Sequence, residues 1–201
     1  MGAQGPSIQP EMDRTAFLLS SAPTGVSFQT RGNGLLLVSL DDELLGLPEG
    51  LEAAMEAASN ILVVVNEGLG GRAAACGRMV ELMMSAHHRG ATVESHVETV
   101  AASAHADVSI LTPGHRTIRQ GGTVLLHATQ ATVAGSSAIL RAIADAMDEQ
   151  REAAVEMFTA RTRQPEAVVR GWFQPGVDAV FSAEDAIRYG LADEILPPPE
   201  A

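Results

Sequence analysis

The chain has 201 residues and a formal net charge of −12 at pH 7. This charge argues against nucleic-acid binding, because contact with phosphates needs clustered Lys and Arg. The single cysteine, Cys76, excludes an internal disulfide and a thiolate-rich metal site. No apolar run approaches the roughly 18 residues that a membrane span requires, and no signal-peptide pattern is present. We therefore expect a cytoplasmic protein without metal or cofactor, built as one domain.

Residues 1–33 are rich in Gly, Ser, Pro and Thr and lack a sustained hydrophobic period. They predict a flexible arm, with one short strand near 26–28, ahead of a folded domain over 34–201. Strands are predicted at 35–40, 61–65, 92–97, 124–126 and 194–196. Helices are predicted at 48–58, 72–89, just after Ser103, at 136–161 and at 182–189.

Strands that are apolar throughout and alternate with helices predict an α/β fold, with a parallel sheet covered on both faces. The helix predicted at 136–161 has Ser136 or Ser137 as its cap. Its apolar residues share one face and its charges lie on the others. Because it is so long, we expect it to pack on something beyond its own domain.

Ser103 lies between a predicted strand and a predicted helix. A serine hydroxyl there can act as a nucleophile when a neighbouring base removes its proton, and the N–H of Ala104 would point at the developing oxyanion. The same position is that of an ordinary N-cap serine. The residue alone does not decide between these interpretations.

His127 follows the predicted strand 124–126 and is the candidate base, because imidazole titrates near neutral pH. A hydrogen-bonded core histidine fits the position equally well. His105 is a reserve base, with a solvent-facing helix residue as the alternative. His96 and Glu98 could form a metal pair, but no third ligand has suitable spacing.

Residues 66–71, Asn-Glu-Gly-Leu-Gly-Gly, follow the apolar run 61–65. They predict a turn before a helix in which Gly70 and Gly71 direct backbone N–H groups outward, which suits an oxyanion or a phosphate. The pattern matches neither GxGxxG nor GxxxxGK[ST], so support for nucleotide binding is weak. A purely structural turn is an equally good interpretation.

In this order, the segments resemble the ClpP family of self-compartmentalised serine peptidases over roughly residues 34–196. Residues 66–71 look like the family's Asn-Ser-Pro-Gly-Gly turn with one residue added. Residues 101–103 resemble its Ala-Ala-Ser nucleophile segment, and 125–127 its strand ending in the catalytic His. The most specific match is 177–193, which is similar to Arg-Asp-x-Phe-Leu-Ser-Ala-x-Glu-Ala-x-x-Tyr-Gly-Leu-x-Asp.

The resemblance implies a ClpP/crotonase-like fold of repeated β-α-β units. The helix 136–161 would be the handle that interlocks two stacked rings of subunits, either identical copies or a mixture with a ClpP paralogue. The implied substrate is a peptide or a small amide or ester. Residues 1–33 lack the family's axial-loop pattern, which speaks against docking to an ATP-driven unfoldase.

Carried over position by position, Ser103 would be the nucleophile and His127 the base. The oxyanion hole would consist of the N–H groups of Ala104 and of Gly70 or Gly71.

The chain departs from the family at the triad Asp. Residues 162–165 match the segment that leads to it, which puts Gly171 or Trp172 at the Asp position. Without a carboxylate to hold the imidazole tautomer, a triad enzyme loses orders of magnitude in rate. Asp178 lies close in sequence and is the candidate substitute, although it matches the family's next Asp. In addition, Thr99 replaces a family Gly.

Three functions are therefore open. The first is a serine peptidase that uses Ser103 and His127, alone or with Asp178. The second is a non-catalytic ClpP-like subunit of a hetero-oligomeric ring, as the missing Asp suggests. The third is a crotonase-type acyl-CoA enzyme, for which Glu67 is the one obvious carboxylate.

Overall fold

A computed structural model describes residues 25–198. Most of the predicted arm, residues 1–24, lies outside the described residues. The predicted short strand near 26–28 is confirmed as part of a longer strand, β1, Val26–Arg31, which pairs antiparallel with the next strand. The sheet thus already begins with β1, ahead of the boundary predicted at residue 34.

The described part of the chain contains eight strands and six α-helices. The further strands are β2 Leu35–Leu44, β3 Asn60–Gly71, β4 Thr92–Ala102, β5 Arg116–Arg119, β6 Thr123–Leu126, β7 Ala179–Ser182 and β8 Glu194–Leu196. The helices are α1 Leu51–Ala57, α2 Ala73–His88, α3 Ala104–Leu111, α4 Ser137–Thr162, α5 Glu166–Trp172 and α6 Ala183–Arg188.

All eight strands belong to one sheet, in which the order β1-β2-β3-β4-β5-β8 forms the main path. Along this path, β2, β3, β4, β5 and β8 are parallel to one another, and only β1 at the edge is antiparallel. Strand β4 divides the sheet, since residues 95–97 pair with β5 and residues 100–102 pair with β6. Strand β7 then pairs antiparallel with β6. The predicted α/β fold, consistent with a ClpP-like architecture, is confirmed.

Three differences from the predicted elements affect the site. Strands β3 and β4 continue well past their predicted ends at residues 65 and 97, and residues 66–71 are the end of β3 rather than a turn. Glycine makes this extension possible, because a Cβ at Gly71 would lie 2.2 Å from the carbonyl oxygen of Leu44 on β2. The short elements β5, β7 and α5 were not predicted.

The core consists mainly of aliphatic side chains between the sheet and its helices. Aromatic rings gather at one end, where Trp172, Phe181 and Tyr189 make edge-to-face contacts with centroid separations of 5.4–5.8 Å. These contacts join α5, β7 and α6, and so they fix the position of β7 beside β6.

Helix α4 has 26 residues, and the Ser136 hydroxyl accepts a hydrogen bond from the N–H of Ile139, as predicted for the cap. Its buried side chains are confined to the last two turns, at Val155, Phe158 and Thr162. Arg161 anchors this end by donating to three backbone carbonyls of residues 110, 112 and 114. The remainder projects from the domain. No helix between residues 25 and 198 combines the length and apolar character of a membrane span.

The segment 177–193 ends in an ion pair that joins the buried Arg116 of β5 to the partly exposed Asp193 in the loop before β8. Asp193 accepts hydrogen bonds from the backbone N–H, Nε and Nη2 of Arg116, at 2.9, 3.0 and 2.6 Å. The guanidinium also donates to the carbonyl of Gly190. Burial opposes ionisation of Asp193, but the hydrogen bonds from Arg116 outweigh it and lower the pKa of the carboxyl group.

Asp193→Ala should lower the free energy of unfolding by about 3 kcal/mol, because it leaves the buried Arg116 guanidinium without its counter-ion. Denaturant unfolding measures the loss. The matched control is Glu81→Ala, whose pair with Arg78 is exposed on α2, and which should leave stability nearly unchanged. Equal losses in the two variants would contradict a special role for the pair of Asp193 with Arg116.

Candidate active site

Ser103 connects β4 to α3 in a strained backbone conformation. Its φ is 53° and its ψ is −123°, which is the geometry of the first central residue of a type II′ turn, where glycine is favoured. Its side chain makes no capping hydrogen bond to α3, so the N-cap interpretation is not supported. A serine held in a strained strand-to-helix turn is typical of an exposed nucleophile, and such strain costs about 1–3 kcal/mol.

Hydrogen bonds on both sides hold this conformation. The N–H of Ser103 donates to the carbonyl of Leu125 on β6 at 2.8 Å, and its carbonyl accepts from the N–H of Asp107 on α3 at 3.0 Å. The preceding residue, Ala102, pairs directly with Leu125. The pairing of β4 with β6 therefore fixes the serine.

His127 follows directly after the last residue of β6. Because β4 and β6 are parallel neighbours, their carboxyl ends lie at the same edge of the sheet, where α/β proteins bind their ligands. Ser103 thus follows the end of β4, and His127 follows the end of the adjacent strand β6. The His127 side chain is 23% exposed, so it is not the buried core histidine of the alternative interpretation.

Asp178 lies beside His127, although the expected triad position holds no carboxylate. The pair of Leu126 with Ala179 sets the register of β6 and β7, and Nδ1 of His127 is 3.4 Å from Oδ1 of Asp178. In contrast, Trp172 packs into the aromatic cluster at the end of α5. The Asp178 side chain is 58% exposed, which leaves its charge well solvated.

The side chain of Gln130 also approaches His127, a neighbour that sequence reasoning missed. Its Nε2 lies 3.4 Å from the same Nδ1 atom. The two contacts require opposite tautomers, because Asp178 accepts a hydrogen bond from Nδ1–H whereas an amide N–H needs a lone pair there. Only the tautomer that pairs with Asp178 leaves Nε2 free to act as a base.

Gly70 is in direct contact with the serine. A Cβ at this position would lie 3.1 Å from Cβ and 3.6 Å from Oγ of Ser103. Its N–H is not free, however, because it donates to Nδ1 of His105 at 3.0 Å. The expectation that the glycine N–H groups face outward is therefore wrong for Gly70. The N–H of Ala104 belongs to the first turn of α3, which has no acceptor within the helix.

His105 differs from both sequence interpretations, since it is neither solvent-facing nor placed as a base. It is fully buried, and its Nε2 has no hydrogen-bond partner among the described residues. Burial lowers its pKa to about 4, against the opposing effect of the Asp41 charge. The ring is therefore neutral at physiological pH.

The other candidate clusters have structural roles. His96 contacts Thr117 through Nδ1 and Glu98 through Nε2, both at 2.8 Å, and Glu98 also accepts from Arg119. Within residues 25–198, no group of three or more potential ligands is arranged to hold a metal ion. Glu67 is an exposed residue of β3.

Ser103→Gly should be more stable than Ser103→Ala by about 1 kcal/mol, because glycine adopts this turn without steric strain. Denaturant unfolding of the two variants tests this, and both lack the hydroxyl, so the comparison isolates the backbone. A glycine variant less stable than the alanine variant would rule out the strain.

Asp107→Asn should stabilise the protein at alkaline pH. Burial on α3 raises the pKa of Asp107 from 3.8 to about 7, so the folded state holds a proton that the unfolded chain has already released. Stability from this group is present below about pH 4 and is lost as the pH rises towards 7. At pH 8 the variant should gain up to about 4 kcal/mol, the free energy that corresponds to the rise of this pKa from 3.8 to about 7, with no gain at pH 4. An equal effect at both values would contradict the assigned titration.

Comparison with known proteins agrees with the fold. The family model described as Clp protease matches residues 51–199, which include Ser103, His127 and Asp178. No curated protein sequence matches the chain significantly. The family consists of peptidases, which generally form oligomeric rings. Because the match covers well over half of the sequence, the chain belongs to the Clp protease family.

Proposed function

We propose that this protein is a serine peptidase that cleaves amide bonds through an acyl-enzyme, with Ser103, His127 and Asp178 as its catalytic residues. The observation that carries the proposal is the 3.4 Å separation of His127 Nδ1 from Asp178 Oδ1. This contact supplies an orienting carboxylate to a chain that lacks one at the family's usual position. Ser103 supports the same conclusion, because its backbone is strained and its side chain does not cap α3.

In the proposed reaction, His127 donates its Nδ1–H to Asp178 and takes the Ser103 proton on Nε2. The serine oxygen bonds to the substrate carbonyl carbon. The resulting oxyanion accepts hydrogen bonds from the backbone N–H groups of Ala104 and of Gly70 or Gly71. Collapse of this intermediate breaks the C–N bond, and His127 gives its proton to the leaving amine. Water then releases the acyl group by the same steps in reverse.

The exposure of Asp178 makes this a weaker triad than a buried one. A solvated carboxylate holds its partner less firmly than a buried one, and Gln130 competes for the same ring nitrogen. We therefore expect Asp178 to contribute less than the roughly 10⁴-fold that a buried triad Asp supplies.

A second candidate is a non-catalytic subunit of a mixed ring. The hydrogen bond from the Gly70 N–H to His105 favours it, because an oxyanion hole with one donor occupied stabilises an oxyanion less well.

For either function we propose stacked rings joined through α4, whose exposed half carries the apolar side chains of Ile139 and Leu140. We also propose a cytoplasmic location and no unfoldase partner. Native mass measurement, with and without a ClpP paralogue, would distinguish one-component from mixed rings.

Labelling with a fluorophosphonate probe tests the peptidase proposal, because the probe phosphonylates an activated serine. The assembled protein should be labelled, Ser103→Ala should not, and Cys76→Ala should react like the unsubstituted protein. Cys76 is a good control because burial raises the pKa of its thiol and keeps it unreactive. Absence of labelling in an assembled ring would favour the non-catalytic subunit.

The same assay tests Asp178. Asp178→Asn should slow labelling about 10- to 100-fold, since it favours the wrong His127 tautomer. The matched control is Glu184→Gln, which neutralises an exposed carboxylate of α6 and should leave the rate unchanged. Equal rates in both variants would reduce the proposed triad to a Ser–His dyad.

A further inference from the structure

We propose that His105 is an internal competitor for the oxyanion: its imidazole holds the Gly70 N–H beside Ser103 and keeps that donor out of the oxyanion hole. The inference rests on the proposed peptidase function. It concerns a residue two positions after the nucleophile that makes no proposed contact with the substrate.

The first support is the position of the donor. Gly70 lies against Ser103, close enough that a Cβ would approach Ser103 Oγ to 3.6 Å. Its N–H donates to His105 Nδ1 at 3.0 Å in a buried environment. An N–H that is committed to an imidazole lone pair cannot point fully at a second acceptor.

The second support is the space made for the ring. A Cβ at Gly68 would lie 2.5 Å from Cγ of His105, so the ring fills the space left by a missing side chain on β3. This close packing prevents the ring from moving towards β3 and keeps Nδ1 in front of the Gly70 N–H.

The third support is the hydrogen bonding of the ring itself. Because Nδ1 accepts from Gly70, the proton of the neutral ring resides on Nε2, which has no partner among the described residues. The contact with Gly70 is thus the one hydrogen bond recorded for this side chain. The low pKa, about 4, keeps the lone pair on Nδ1 available throughout the neutral range, and Asp41 is the charged group that acts on the ring.

The consequence is a higher free energy of the transition state. To use the Gly70 N–H, the oxyanion must take it from His105 and leave Nδ1 buried without a donor. The penalty for an unpaired buried acceptor corresponds to a rate lowered roughly tenfold. In the resting arrangement the Gly70 N–H would therefore not contribute to the stabilisation of the oxyanion.

Two substitutions at residue 105 separate competition from packing. His105→Leu removes the acceptor and keeps most of the volume, whereas His105→Asn keeps an acceptor oxygen at the place of Nδ1. Fluorophosphonate labelling of Ser103 should be about tenfold faster in His105→Leu and close to the original rate in His105→Asn. His105→Phe, a ring without an acceptor, serves as the second acceptor-free variant if His105→Leu does not assemble.

Hydrogen–deuterium exchange at the Gly70 amide gives a readout that does not depend on catalysis. Exchange should be faster in His105→Leu and protected in His105→Asn, with the assembled protein used throughout. Unchanged exchange in His105→Leu would overturn the proposed contact. Faster exchange with unchanged or slower labelling would overturn the competition.

Failure of the peptidase proposal has a different signature. If neither the unsubstituted protein nor any residue-105 variant is labelled, the peptidase function and the competition are both rejected, while the exchange data still report the contact. Labelling that appears only in the acceptor-free variants would support the competition in its strongest form.

Discussion

The backbone conformation of Ser103 is the constraint on which the rest of the site depends. A non-glycine residue at φ 53° and ψ −123° persists only where its surroundings determine it more strongly than its own preference does. Here the hydrogen bond from Ser103 to Leu125 supplies one restraint, and the first turn of α3 supplies the other. The hydroxyl makes no capping hydrogen bond to the helix that follows it.

The pairing that strains the serine also assembles its partners. Strand β4 leaves β5 after residue 97 and pairs with β6 from residue 100, so β6 ends beside the serine and His127 follows it. Strand β7 pairs with β6 through Leu126 and Ala179, which brings Asp178 next to the imidazole. A carboxylate displaced in sequence from its usual position can therefore still lie beside the histidine, because register rather than spacing determines the contact.

The parts of the fold that were predicted from sequence are those with a local cause. The apolar runs 35–40 and 61–65 predict buried strands because such residues are stable only away from water, and the cap at Ser136 is a local hydrogen bond. The prediction of a turn at the end of β3 is wrong, because the glycines at 68, 70 and 71 are locally typical of turns. Its extension depends on Leu44 and on α3, which lie far away in sequence. Strands β5 and β7 are too short to carry a recognisable period.

The burial of His105 shows why the motif alone does not determine the function. Residues 66–71 and 101–103 resemble the family pattern, yet the absence of a side chain at Gly68 creates a space whose use depends on residue 105. A small residue there would leave the Gly70 N–H available to the oxyanion, whereas a histidine both fills the space and accepts that hydrogen bond. The chemistry of the hole is therefore a joint property of β3 and α3. One residue on the helix can change it while the nucleophile, the base and the glycines are all retained.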